Sequence, residues 1–145
     1  MALRLALALA SLLLLAGCGG DDDEASSTAA ATGAEASSCA PATSAIMTPI
    51  GNTLSLDGGR VGNGQMVESG VTPGIWFVAV EVDGPGYEEE GDVATFATAN
   101  RFGADAIYSV DELARQHFGW RDVAEADGIE ADDPAADEAV ACVGD

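Results

Sequence analysis

From Gly19 to Ser38 the chain carries no large apolar side chain, only Gly, Ser, Ala, Thr and acid, in the order GGDDDEASSTAAATGAEASS. A stretch of that composition cannot bury enough surface to offset the entropy of ordering it, which predicts a disordered linker. About twenty such residues span roughly 25 Å root-mean-square. The run Asp21-Asp22-Asp23-Glu24 reads as a solvated spacer rather than a calcium site. Any fold must therefore be assembled from residues 39–145, where both tryptophans and all four phenylalanines lie. That length suits one domain with a modest core.

The charge balance narrows the chemistry. The chain holds 25 acidic residues against 5 arginines and no lysine, a formal net charge of −20. Such a chain repels a phosphate backbone, so nucleic acid is a poor partner. Adsorption to anionic head groups is disfavoured on the same ground. Solubility and colloidal repulsion account for the acidity without any binding role.

The first seventeen residues differ from everything after them. Met1 to Arg4 is a short positive region, and Leu5 to Leu15 is apolar apart from Ser11. That run falls short of the roughly 20 helical residues a hydrocarbon core requires, as expected of a signal peptide rather than a permanent span. Leu15-Ala16-Gly17-Cys18 follows directly and resembles the lipobox of bacterial lipoproteins. The resemblance implies cleavage before Cys18 and a diacylglyceryl group on that residue. Two acyl chains hold stably where one is marginal, so no basic patch is needed. The expected layout is signal peptide 1–17, lipidated Cys18 and acidic tether 18–38, and a globular domain 39–145. The expected location is the outer face of the cell membrane.

With Cys18 so modified, Cys39 and Cys142 remain, and they bracket the globular segment. In an oxidising compartment a disulfide between them is the natural pairing. Nothing in the neighbouring sequence supports a catalytic or metal-binding role for either.

Apolar spacing at Ile46, Met47, Ile50 and Leu54 predicts a first helix, with Pro41 in its opening turn and Pro49 interrupting it. Arg60–Ser69 reads as a glycine-diluted strand. Beyond the Thr72-Pro73-Gly74 turn, Ile75–Val82 is apolar on both faces, the pattern of a central strand. Asp92–Ala99 follows as its antiparallel partner, and Ala106-Ile107-Tyr108 as a short further strand. Ser109-Val110-Asp111-Glu112 has the spacing of a capping box, with Val110, Leu113, Ala114, His117 and Phe118 on one helical face. Asp133-Pro134 opens a last helix whose apolar stripe is Ala136, Ala139, Val140 and Val143. The expectation is an α+β fold: a three- to four-stranded antiparallel sheet with helices on one face, and the first and last helices joined by the disulfide.

Phe77-Val78-Ala79-Val80-Glu81-Val82-Asp83-Gly84-Pro85-Gly86, Ala94-Thr95-Phe96-Ala97-Thr98 with Asn100, and Ile107-Tyr108-Ser109-Val110-Asp111 together resemble a group of small secreted or lipid-anchored actinobacterial proteins. The resemblance covers roughly residues 60–142 and implies no activity and no site, because a shared fold does not transfer function.

Catalytic constellations are scarce. The single histidine, His117, falls on an apolar helical face and reads as a core or boundary residue. Neither Gly-x-Ser-x-Gly nor Ser-x-x-Lys occurs, and no glycine-rich phosphate loop precedes a helix. No catalytic residue, metal or cofactor is therefore assigned. Two acidic loops, Glu88–Asp92 and Asp127–Asp133, are the remaining candidates, and neither follows EF-hand spacing. Trp120, Arg121 and Tyr87 are nominated as a ligand surface, with Trp120 the exposed aromatic and Trp76 the core one. The expected function is non-enzymatic binding of an envelope protein or small ligand. The alternatives are an envelope hydrolase or glycan-active enzyme using loop carboxylates, and a weak calcium-binding adhesion module.

Overall fold

A computed structural model describes residues 38–87, 92–103 and 106–144. The expected signal peptide, Cys18, nearly all of the expected tether and the Glu88–Gly91 stretch lie outside the described residues. Strand β1 (Ala40–Pro41) leads to helix α1 (Ser44–Thr53), then β2 (Arg60–Glu68), β3 (Trp76–Asp83), β4 (Val93–Thr98) and β5 (Ile107–Ser109). Helix α2 (Glu112–His117), β6 (Arg121–Asp122), a 3-10 turn at Val123–Glu125 and α3 (Pro134–Val143) complete the order. The strands form one six-stranded sheet in sequence order, β1-β2-β3-β4-β5-β6.

The mixed α+β class agrees with the sequence, but the strand count does not. β1 and β6 are two-residue edge strands, too short to show a period. β6 pairs with β5 in parallel, unlike every other neighbouring pair. A parallel return needs a crossover, and α2 supplies it.

β3 is the central strand, as its two apolar faces predict. Val78, Val80 and Val82 join one buried cluster with Ile46, Ile50, Phe96, Ile107 and Phe118. Phe77 and Ala79 join the other with Val67, Ala97, Ala135, Ala136, Ala139 and Val143. Residues of α1 and α2 belong to the first cluster and those of α3 to the second. The helices therefore cover both faces of the sheet, not one. A helix's apolar stripe shows that it must be covered, without showing from which side of the sheet.

Capping follows local chemistry. Asp111, not Ser109, caps α2: one carboxylate oxygen accepts from the Ala114 amide at 2.7 Å and the other from the Thr95 amide at 2.6 Å. Ser109 is buried as the last residue of β5, paired with Phe96. Val110 consequently packs in the second cluster, away from the α2 face on which it was expected. Pro41 lies in β1 rather than in a helix, and α1 runs through Pro49 without ending. Asp133 caps α3 with Pro134 behind it, as the sequence predicts. On that helix Ala135 and Cys142 are buried while Val140 is 39% exposed, so the stripe is displaced from the expected one.

Three ties hold α3 to the sheet. Cys142 forms a disulfide with Cys39, the Cα atoms 5.8 Å apart. Cys39 precedes β1, so the bond links the domain's entry to α3, not helix to helix. The buried Asp133 accepts from the Ser69 hydroxyl at 2.5 Å, and the same hydroxyl accepts from the Thr72 amide at 2.7 Å. At the other end Asn63, in the left-handed region at φ 39°, donates from its side-chain amide to the Val143 carbonyl at 2.7 Å. That carbonyl is one of those a helix C-terminus leaves without an internal partner.

Candidate functional site

The three residues nominated from the sequence do not form one surface. Tyr87 follows the Gly84-Pro85-Gly86 turn at the end of β3 and points to α2, its hydroxyl 2.5 Å from His117 Nε2. The two rings meet edge to face with centroids 5.0 Å apart. Trp120 is half-buried against the first cluster, so it is not the exposed aromatic that its loop setting suggested. Its indole Nε1 is closed to solvent with no hydrogen-bond partner among the described residues. Arg121 stands opposite Tyr108 in the β5–β6 pair; its guanidinium lies 5.0 Å from that ring's centroid and donates to the Tyr108 hydroxyl at 2.9 Å. Tyr108 packs against the second cluster, so Arg121 and Trp120 serve opposite faces of the sheet.

The tyrosine–histidine pair closes one end of the molecule. The His117 carbonyl accepts from both the amide and the hydroxyl of Ser55, at 2.8 and 2.9 Å. Leu54 and Phe118 form an antiparallel bridge beside it. The close of α1, the close of α2 and the mouth of the β3–β4 connection are thus sewn together at one point. Chemically the pair could relay a proton, but the contacts recorded around it are structural: no carboxylate bonds the imidazole among the described residues.

In the acidic loop before α3 one carboxylate, that of Asp133, is engaged structurally, while Asp127, Glu130 and Asp132 are exposed. Asp133 is 4% exposed and holds the helix start and Ser69. Among the described residues no group of three or more His, Cys, Asp or Glu side chains is arranged to hold a metal ion.

A different cluster stands at the opposite end of the sheet, and the sequence reading did not nominate it. Three of the four described arginines have a polar partner: Arg60 with Asp83, Arg115 with Asp122 and the Val110 carbonyl, Arg121 with Tyr108. Among the described residues the guanidinium of Arg101 has neither hydrogen bond nor ion pair. It lies 4.4 Å over the Trp76 ring and 5.0 Å from that of Phe102. Ring faces attract a cation electrostatically and hold it in place without neutralising it. Its Nε is sealed from solvent without a hydrogen-bond partner among the described residues, and the residue as a whole is half-buried. The Arg101 carbonyl accepts a long bond from the Thr43 hydroxyl at 3.5 Å, which ties this loop to the start of α1. Phe102 is 71% exposed, and Val71 in the adjoining β2–β3 turn is 58% exposed. Glu68 pairs with Trp76 across β2 and β3, placing its carboxylate on the same face of the sheet. This arrangement can recognise an anionic group on Arg101 with an apolar group beside it. No spacing rule links residues 68, 76 and 101, so only the sheet register reveals the cluster.

No protein-family model matches the chain, and neither the curated proteins nor the solved structures contain a significant match to it.

Proposed function

We propose that the chain is a lipid-anchored extracytoplasmic protein whose small domain binds a ligand or partner rather than transforming it. The observation that carries this reading is the Cys39–Cys142 disulfide at the point where the linker meets the domain. Such bonds persist in oxidising compartments, outside the cytoplasm. An exported chain with a hydrophobic leader and Leu15-Ala16-Gly17-Cys18 has the means to be held at the membrane by Cys18. A long polar linker then gives the domain room to reach a partner. Binding is favoured over catalysis because His117 is engaged by Tyr87, Asp133 by a helix start, and Arg101, among the described residues, by ring faces alone. Free aromatic and arginine side chains are the residue types that dominate binding energy at interfaces.

The test is mass spectrometry of the native N-terminus, with membrane fractionation of wild type and Cys18→Ser. The expected result is a diacylglyceryl adduct on Cys18 and release of the serine variant from the membrane fraction. An unmodified N-terminus, or a serine variant that stays equally firmly attached, would sink the reading. Turnover of a substrate by the purified protein, abolished by loop-carboxylate substitutions, would replace binding with hydrolysis.

A further inference from the structure

We propose that the sheet end bearing Val71, Arg101 and Phe102 is the face this domain turns to the bilayer, where it rests on zwitterionic phospholipid head groups. The inference deepens the anchoring reading above and rests on it.

Topology supplies the first argument. β1 runs antiparallel to β2, with Ala40 opposite Met66, so the chain preceding Ala40 enters the domain from the Glu68 side. Glu68 and Thr98 both pair with Trp76, which puts the β2–β3 turn and the β4–β5 loop at that same end. The point where the described chain begins, ahead of Ala40, and the two most exposed large apolar side chains among the described residues therefore lie toward one end of the sheet. The Tyr87–His117 clasp lies at the other. An anchor pulling on that point of entry would favour presenting the Val71–Phe102 end to the membrane.

Charge chooses the kind of lipid. A chain of net charge −20 is repelled by an anionic surface. A zwitterionic head group offers both signs at short range: its phosphate suits the guanidinium of Arg101, and its ammonium suits the Glu68 carboxylate across Trp76. Arginine donates in a planar fork that matches phosphate oxygens. Phe102 and Val71 then meet the boundary between head groups and acyl chains, where aromatic side chains are enriched. Such a contact is weak for a free domain. A linker that confines the domain near the surface supplies an effective concentration of order millimolar, enough to populate a weak contact.

The experiment uses the full lipidated protein in vesicles of phosphatidylethanolamine and phosphatidylcholine with brominated acyl chains. Phe102→Trp adds a reporter at the proposed contact, and Val140→Trp adds one on the exposed side of α3 as a control. Fluorescence is read as the difference from wild type, which contains Trp76 and Trp120. The expected result is bromine quenching with a blue shift for Phe102→Trp and none for Val140→Trp. Adding Arg101→Gln to the reporter variant should reduce the quenching, and vesicles of phosphatidylglycerol alone should abolish it. Equal quenching of the two reporters, or none at Phe102→Trp, overturns the proposal. So does exchange protection of residues 99–103 that arises only on adding a second protein, which would mark a protein-docking site instead. Flotation of the wild type with the vesicles separates the two readings. A protein that floats yet shows no quenching defeats the membrane-facing surface alone, whereas one that fails to float defeats the anchor and this proposal with it.

Discussion

The two faces of the sheet are held by different means. Beneath α1 and α2 the buried residues are mostly large, among them Ile46, Ile50, Met66, Phe96, Ile107 and Phe118, with Phe96 and Phe118 meeting edge to face at 4.9 Å between centroids. Beneath α3 they are mostly small, including Ala79, Ala97, Ala135, Ala136 and Ala139. Alanine lets a helix approach the sheet closely, but each one removes little apolar area from water, and burial scales with area. The α3 face is also where the disulfide, the Ser69–Asp133 bond and the Asn63 cap are found. An alanine-rich interface is thus reinforced by a covalent link and polar ones, while the opposite face has polar ties of its own at Asp111 and His117 but carries far more buried bulk. The lesson is that equal coverage of a sheet does not mean equal sources of stability.

Truncating the bulky face should have the largest effect. Phe96→Ala removes a fully buried ring and should destabilise by about 3–5 kcal/mol in denaturant melts. Next comes the covalent link: Cys39→Ala with Cys142→Ala opens a ring of sequence separation 103 and should lower stability by about 2–4 kcal/mol. A double variant as stable as the oxidised wild type would show that the α3 face needs no staple. Enlargement, harmless where there is room, should break the alanine face: Ala139→Leu is expected to cost about 1–3 kcal/mol by overpacking. Were Ala139→Leu to stabilise the protein, the contrast between the faces would be wrong. The smallest of the four is Asp133→Ala, which removes the α3 cap and leaves the Ser69 hydroxyl short of an acceptor, at about 1–2 kcal/mol in thermal melts.

What could be seen in the sequence tracks how much each residue depends on its immediate neighbours. β3 was legible because alternation and β-branching speak within eight residues, and α3 because Asp133-Pro134 is a self-contained start signal. The cap of α2 was misassigned by two positions, since Ser109 and Asp111 are both good caps and only the pairing of Ser109 with Phe96 decides between them. β1 and β6 exist through their neighbours and have no pattern of their own. The disulfide was legible by arithmetic, whereas its true partner element was not, because Cys39 lies ahead of a strand too short to anticipate. For the candidate site, the lone His117 and nearby Tyr87 were noticed separately, yet their bond spans 30 positions. The stacking of Arg101 on Trp76 likewise depends on a register that composition cannot encode.

The Cys39–Cys142 bond also has a mechanical meaning. Tension applied through the segment before residue 39 divides at Cys39, part going into Ala40 and part through sulfur into α3. The load therefore meets a closed ring instead of a free thread. The two-residue β1 cannot be unzipped from Met66 and Gln65 without also dragging α3 off the sheet. A pull on that segment would find the domain braced at the very spot where the load enters.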